Sequence, residues 1–154
     1  MFEQRRLIAM NVSDCMTPGP RVCAPDATIQ EAARTMKEID SGFLPVGEND
    51  RLVGMITDRD LAVRAIADGM GPDTPVREVM TREVCYCYED EDLDDVAAQM
   101  SDLQVRRLPV LSRQKRLVGV ISLGDISHAD DDGGLRSAAA LSQVTEPSSR
   151  HNQH

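Results

Sequence analysis

Apolar residues recur at helical spacing in two stretches of the chain. They are Ile29, Ala32, Ala33, Met36 and Ile39 in the first stretch, and Leu93, Val96, Ala97, Met100 and Leu103 in the second. The first stretch overlaps Thr28-Ile29-Gln30-Glu31, a capping box in which a hydroxyl and a carboxylate satisfy each other's backbone N–H groups. The pattern predicts one helix in each stretch, each with a single buried stripe.

Short apolar runs on either side of the first helix predict strands. An extended piece lies at 21–24, and two strands, at 43–47 and 52–56, are separated by the turn residues Glu48-Asn49-Asp50. Pro45 places its strand at an edge of a sheet, or itself at a strand end, because proline cannot donate a ladder hydrogen bond. A second helix is predicted over 58–68, closed by Gly69. The predicted unit is strand–helix–strand–strand–helix.

This unit occurs twice. The block 51–60 recurs as 116–125, and at an offset of 64 Leu44-Pro45-Val46 falls on Leu108-Pro109-Val110, with one inserted residue near Lys115. So many matches with a single gap indicate two copies of one unit. We assign residues 12–69 and 76–129 to the copies, 70–75 to a linker, 1–11 to an N-terminal extension and 130–154 to a polar tail. Within the tail, a helix over 135–144 and disorder of the last ten residues are predicted.

Composition excludes several classes of protein. Of 154 residues 41% are apolar, which suffices for a core, and the formal net charge is −9. That charge argues against non-specific binding to nucleic acid or to an anionic membrane, because both need clustered cations. Apolar runs are too short for a membrane span or a signal peptide, so a cytoplasmic protein is expected.

Four cysteines, Cys15, Cys23, Cys85 and Cys87, match no zinc spacing, and we expect them to be reduced. Cys85-Tyr86-Cys87-Tyr88 alternates at strand period, which predicts a half-buried strand with both thiols on one side and both phenols on the other. A redox-responsive or metal-responsive thiol pair is the alternative. The acids 89–92 that follow would raise a thiol pKa and favour the N-terminus of a helix, and no metal site is predicted.

Each copy ends its second strand with a hydroxyl three residues before a carboxylate. These pairs are Thr57 with Asp60 and Ser122 with Asp125. One interpretation is a variant capping box without a ligand, which stabilises a helix start by about 1 kcal/mol. The other is a site for a small polar ligand, in which the aspartate accepts ribose hydroxyl groups and the hydroxyl and free amides face a phosphate.

The two Leu-Pro-Val strands, the two Leu-Val-Gly-x-Ile strands and the two Gly-x-x-[Thr/Ser]-x-x-Asp endings resemble the paired cystathionine β-synthase (CBS) domain, or Bateman module, over residues 12–128. The resemblance implies an α/β (α+β) fold of tandem β-α-β-β-α repeats with pseudo-two-fold symmetry, and a regulatory protein that stands alone. It also implies an adenine nucleotide (AMP, ADP or ATP) or a related adenosyl ligand bound in clefts between the repeats. Thr57, Asp60, Ser122 and Asp125 are the ligand-facing residues that it implies.

Other candidate ligand contacts come from comparing the two copies. Arg59 lies between the hydroxyl and the carboxylate of the first copy, and Arg106-Arg107 precede the Leu-Pro-Val strand of the second. Guanidinium groups suit bidentate phosphate contacts. The alternative for Arg106 and Arg107 is pairing with surface carboxylates. Val22, Leu44 and Ile56 are predicted to lie against the adenine.

The leading hypothesis is therefore a regulatory module that binds an adenosine-containing nucleotide, forms a homodimer and reports occupancy to itself or to a partner protein. The alternative is a ligand-independent dimeric scaffold tuned by its cysteines. An enzyme is not expected, because the sequence has no nucleophile–base arrangement, metal motif or phosphate-binding P-loop. No cofactor is required in either hypothesis.

Overall fold

A computed structural model describes residues 10–129, so the predicted tail helix, the predicted terminal disorder and most of the N-terminal extension lie outside the described residues. The helices are α1 (Val12–Cys15), α2 (Ile29–Ile39), α3 (Leu93–Leu103) and α4 (Leu123–Ala129), with a π-helical segment at Asp60–Ile66 and a 3-10 turn at Val76–Glu78. The strands are β1 (Thr17–Pro18), β2 (Phe43–Glu48), β3 (Arg51–Thr57), β4 (Cys87–Tyr88), β5 (Arg107–Leu111) and β6 (Leu117–Ser122).

The chain forms two compact units. The first-repeat unit contains Pro20–Val84 and Lys115–Leu117, and the second-repeat unit contains, among described residues, 10–19, Cys85–Gln114 and 118–129. Each unit therefore takes a short N-terminal segment from the other copy of the sequence repeat. These compact units differ from the boundaries that the repeat alone suggests.

The first-repeat unit is built on the antiparallel pair β2 and β3, in which Leu44 lies opposite Ile56 and Pro45 opposite Met55. Cys23 adds one parallel bridge to Val46. The carbonyl of Pro45 accepts from the N–H of Cys23 at 3.1 Å, so the missing N–H of Pro45 also faces away from β3. The proline thus costs no hydrogen bond between β2 and β3, because N–H and C=O of one residue point to the same side of a strand.

The second-repeat unit has a four-stranded sheet in the order β1-β6-β5-β4, with β4 parallel to β5. One face of this sheet packs against helices. The core consists of Val12, Cys87, Leu93, Val96, Ala97, Met100, Leu108, Val110, Ile121, Leu123 and Ile126. The first-repeat unit has a corresponding core of Cys23, Ile29, Ala32, Met36, Leu44, Val46, Ile56, Ala65, Val76, Val79 and Met80.

Both long helices begin where the sequence indicates. The hydroxyl of Thr28 accepts from the N–H of Glu31, and the carboxylate of Asp92 accepts from Asp94 and Asp95. Both helices end in a left-handed residue, Asp40 and Gln104. The predicted stripes are confirmed except that Ala33 is exposed and the last residue of each, Ile39 and Leu103, is only partly covered.

The predicted second helix of the first copy is confirmed in position, but its hydrogen bonding differs. Asp60–Ile66 is π-helical, and the N–H of Ala67 bonds to the carbonyl of Ala62. Gly69 ends it with a φ of 78°, a conformation that glycine adopts without steric cost. The equivalent segment of the second copy, α4, is α-helical. None of the helices among residues 10–129 combines the length and the apolarity that crossing a membrane would require.

Candidate ligand-binding corners

The end of β3 forms the first candidate corner. The carboxylate Oδ2 of Asp60 accepts the N–H of Thr57 at 3.0 Å, and the Thr57 hydroxyl oxygen accepts the N–H of Asp60 at 3.1 Å. This is a reciprocal capping box, as the ligand-free interpretation of the sequence predicts. Both residues are half-buried. The Thr57 hydroxyl still has its proton to donate, because it acts only as an acceptor in this pair.

The end of β6 repeats the same geometry in the second-repeat unit. Oδ2 of Asp125 accepts the N–H of Ser122 at 3.0 Å, and the Ser122 hydroxyl accepts the N–H of Asp125 at 3.0 Å. Among residues 10–129, Oδ1 of Asp125 has no hydrogen-bond partner. The second corner therefore offers one carboxylate oxygen and one hydroxyl proton for further bonds.

The corners differ in what surrounds the carboxylate. In the first, Nη1 of Arg64 lies 3.8 Å from Oδ1 of Asp60, whose side chain is only 14% exposed. Arg64 also donates to the hydroxyl of Thr81 at 3.3 Å. In the second, the position of Arg64 is taken by Ala129, so Asp125 lacks this cation.

A second difference lies where each helix start meets the strand before it. The N–H of Asp58 bonds to the carbonyl of Gly42 at 2.9 Å, and the N–H of Leu123 bonds to the carbonyl of Arg106 at 3.0 Å, so Gly42 and Arg106 occupy equivalent positions. A Cβ on Gly42 would lie 2.3 Å from Oδ2 of Asp58. A carboxylate thus fills the space beside Gly42, whereas the second corner carries a guanidinium side chain.

The predicted cationic contacts Arg59, Arg106 and Arg107 are all exposed. The alternative interpretation paired Arg106 and Arg107 with surface carboxylates, but none of the three arginines forms an ion pair with another residue of the described chain. Five other arginines do, with Glu38, Asp60, Asp26, Asp90 and Asp50 as partners. The three arginines therefore keep their hydrogen-bond donors available.

The apolar residues predicted to contact an adenine are placed differently from one another. Val22 is 42% exposed, whereas Leu44 and Ile56 are fully buried in the core of the first-repeat unit. A ligand cannot touch the Leu44 and Ile56 side chains without opening that core. We therefore retain only Val22 of these three as a candidate contact.

An aromatic cluster in the second-repeat unit was not predicted as part of a site. The rings of Tyr86 and Tyr88 meet edge to face with centroids 5.5 Å apart, which confirms that both phenols lie on one side. The guanidinium carbon of Arg113 lies 4.2 Å from the centroid of Tyr88, and Arg113 holds both carboxylate oxygens of Asp90. The sequence does contain a signal for it, because the offset of 64 puts Tyr86 at the position of Val22.

The four cysteines are free thiols in different surroundings. Burial raises the pKa of Cys23 to about 11, and burial together with Glu91 raises the pKa of Cys87 to about 12. Cys85 is exposed, so Cys85 and Cys87 do not share one environment as strand alternation predicted. Within residues 10–129 no cluster of His, Cys, Asp and Glu is arranged to hold a metal ion.

The folded units and their matching corners define a mixed α+β protein made of tandem repeats. The chain belongs to the CBS domain family, whose model matches residues 12–66 and 76–132. The predicted family and fold class are therefore confirmed. The CBS domain-containing protein YhcV of Bacillus subtilis is 43% identical over 117 residues, covering 76% of this chain and 83% of that protein.

Two similar solved structures contain adenosyl compounds. The CBS domain pair of protein MJ0100, in complex with 5′-methylthioadenosine and S-adenosyl-L-methionine, is 32% identical with a TM-score of 0.69, over 79% of this chain and 95% of its own. CBSX2 in complex with AMP is 27% identical with a TM-score of 0.68, over 77% of this chain and 94% of its own. Related CBS domain pairs thus bind adenosine-containing ligands.

Proposed function

We propose that this protein is a regulatory module that binds an adenosine-containing ligand, such as AMP, ADP, ATP or an adenosyl compound, at the two hydroxyl–carboxylate corners. One observation carries the proposal: both corners have the same reciprocal bonds, at 3.0 to 3.1 Å, and both keep a hydroxyl proton for another partner. The adenosyl ligands of the related structures support this choice of ligand.

The chemistry of the corners suits a nucleoside. Asp60 and Asp125 each have a carboxylate oxygen outside the capping box, and an ionised carboxylate is a strong acceptor for ribose hydroxyl groups. The same carboxylate would repel a phosphate. Phosphate binding is therefore assigned to the unpaired guanidinium groups of Arg59, Arg106 and Arg107, together with the Thr57 and Ser122 hydroxyls.

The proposed role is regulatory and not catalytic. A bound ligand changes the conformational equilibrium of its receptor only by its differential affinity for the competing states. We propose that ligand occupancy is reported to a partner protein or through a homodimer.

The π-helical segment offers a face for the homodimer. Val63 and Ile66 lie three residues apart on it and are 48% and 66% exposed, which favours contact with a second copy. Light scattering of Ile66→Glu beside wild type tests this: a dimer that persists in the variant would remove that face from the interface.

Calorimetric titration with AMP, ATP, S-adenosyl-L-methionine and NADH tests the ligand proposal. Asp60→Ala and Asp125→Ala each remove a ribose acceptor and also a helix cap. Thr28→Ala is the matched control, because it removes an N-cap hydrogen bond of 3.1 Å from α2, away from the corners. We expect Thr28→Ala to bind as wild type does and both aspartate variants to bind more weakly. Equal binding by all four proteins would leave the aspartates with capping alone.

A further inference from the structure

The two corners are not equivalent, and their differences favour different ligands. In the first, Asp58 occupies the space beside Gly42, and Asp60 has Arg64 at 3.8 Å. In the second, Arg106 lies just before β5 and Arg107 is its first residue, and neither makes an ion pair with any residue in 10–129. The first corner carries two carboxylates together with Arg59 and Arg64, whereas the second carries the carboxylate of Asp125 together with Arg106 and Arg107. An anionic group is therefore favoured at the second corner, where cations outnumber carboxylates, over the first, where the two are equal in number.

The second-repeat unit also has an aromatic ring where the first has a small side chain. Cys23 pairs in parallel with Val46, and Cys87 pairs in parallel with Val110, so the two segments occupy the same place in their units. The residue before each cysteine is Val22 in one and Tyr86 in the other. An aromatic ring stacks on a nucleobase, and a valine does not.

Tyr86, Arg107 and Ser122 lie on one side of the four-stranded sheet. Cys87, Val110 and Ile121 are fully buried on the core side. Successive residues of a strand point to opposite faces, so Tyr88, Arg107 and Ser122 point away from the core, and the ring of Tyr86 lies against that of Tyr88. Arg106 lies before β5, and its carbonyl accepts the N–H of Leu123 at 3.0 Å, which places its backbone beside the corner at Ser122. Tyr86 and Ser122 are half-buried and Arg107 is exposed, which leaves all three accessible.

Neighbouring residues hold the ring of Tyr86 in place. Its ring makes an edge-to-face contact with Tyr88, and Tyr88 also contacts the guanidinium of Arg113. Asp90 accepts two hydrogen bonds from that guanidinium, at 2.9 and 3.0 Å. The side chain of Gln99 donates to the carbonyl of Tyr86 at 3.2 Å. A ring held in this way loses little freedom when a base stacks on it.

From these observations we propose that a phosphate-bearing nucleotide binds selectively to the second-repeat unit. Tyr86 stacks the base, Asp125 binds the ribose, and Arg106 and Arg107 bind the phosphate. This inference rests on the proposed function and adds to it the unit, the residues that choose the ligand, and the ligand class. At the first corner, where carboxylates and cations are equal in number, phosphate binding through Arg59 is weaker, so an adenosyl ligand without a phosphate competes better there.

The test installs the residues of the first copy in the second and compares AMP with adenosine by calorimetry. Arg106→Gly is expected to weaken AMP binding by about tenfold or more, because a charge-assisted hydrogen bond is lost, and to leave adenosine binding unchanged. Tyr86→Val is expected to weaken binding of both compounds by about tenfold, and Tyr86→Phe to retain both affinities within about twofold, because the ring remains. Arg82→Gly removes an exposed cation elsewhere and serves as the charge control.

The outcomes separate this inference from the proposed function. Suppose that wild type binds AMP, and that the Arg106→Gly and Tyr86→Val variants bind AMP as tightly as wild type does. The inference is then overturned, and the proposed function stands. The same holds if Arg59→Gly weakens AMP binding in place of Arg106→Gly. If wild type binds adenosine or S-adenosyl-L-methionine but neither AMP nor ATP, the inference is again overturned and the proposed function stands. If wild type binds none of these compounds, the proposed function fails and the inference fails with it. Far-ultraviolet circular dichroism of each variant excludes loss of the fold as the cause.

Discussion

Met80 fills the space beside Gly54: a Cβ on Gly54 would lie 2.6 Å from the Met80 sulfur and 2.9 Å from the carbonyl oxygen of Thr81. Gly119 has the same relationship to Met16 and Thr17, with distances of 2.5 and 2.9 Å. In each unit, the Met-Thr segment of one sequence copy pairs with a strand of the other copy. The glycine in both Leu-Val-Gly runs is thus required by the close approach of this segment.

Gly54→Ala is expected to destabilise the protein by about 1–3 kcal/mol, because the new methyl group overlaps a backbone carbonyl that cannot easily move. Gly119→Ala should behave alike. Urea unfolding of the ligand-free protein measures both changes. Gly71→Ala is the control, because a Cβ there meets nothing within 4 Å, and its effect should stay within about 0.5 kcal/mol. A neutral Gly54→Ala would show that the Met-Thr segment is loosely held.

Removing either corner hydroxyl should destabilise the ligand-free protein. Thr57→Ala and Ser122→Ala each leave an aspartate N–H without its 3.0 to 3.1 Å acceptor, and we expect each to lower the free energy of unfolding by about 1 kcal/mol. Thr57→Ser and Ser122→Thr keep the acceptor and are the controls. If the alanine variants unfold at the same urea concentration as wild type, the capping boxes contribute nothing to stability.

The sequence predicts the local elements well because their causes are local. The Thr28 cap, the buried stripe of α3 and the strand ends at Thr57 and Ser122 all depend on residues within a few positions. The exchange of Met16 and Met80 between repeats is not predictable in this way, since it depends on which copy each segment packs against. Leu44 and Ile56 show the same limit: strand alternation does not say which of two apolar faces a ligand reaches.

Alkylation should distinguish the four cysteines. At pH 8 we expect iodoacetamide to modify the exposed Cys85 first and Cys23 and Cys87 last, because burial raises the pKa of Cys23 to about 11 and of Cys87 to about 12. Each unit by which the pKa is raised lowers the thiolate fraction at pH 8 about tenfold, and the thiolate is the reactive form. Mass spectrometry of peptides over time gives the order. Equal alkylation rates for Cys85 and Cys87 would favour the alternative hypothesis of a dimeric scaffold tuned by its cysteines.

The same shifts predict a loss of stability in alkali. An ordinary cysteine pKa is 9.0, below the folded values of about 11 for Cys23 and about 12 for Cys87. The unfolded chain therefore loses these protons first as the pH rises, so the free energy of unfolding is unaffected below pH 9 and falls between about pH 9 and 12. Urea unfolding at several pH values measures the slope, and Cys23→Ala should make it shallower than Cys85→Ala does.

Arg113 is expected to control both the titration of Asp90 and the order of the tyrosine pair. Its hydrogen bonds hold the pKa of Asp90 below the ordinary value of 3.8, so Arg113→Ala should raise that pKa, as followed by carboxyl ¹³C resonances in an acid titration. Arg116→Ala, which removes the partner of Asp50 at 3.0 Å, should leave Asp90 unchanged. Arg113→Ala also removes one contact of the Tyr88 ring. AMP binding should therefore weaken, though less than in Tyr86→Val, where the stacking ring itself is absent. An unchanged AMP affinity in Arg113→Ala, with Asp90 shifted, would show that Tyr86 holds its position without Arg113.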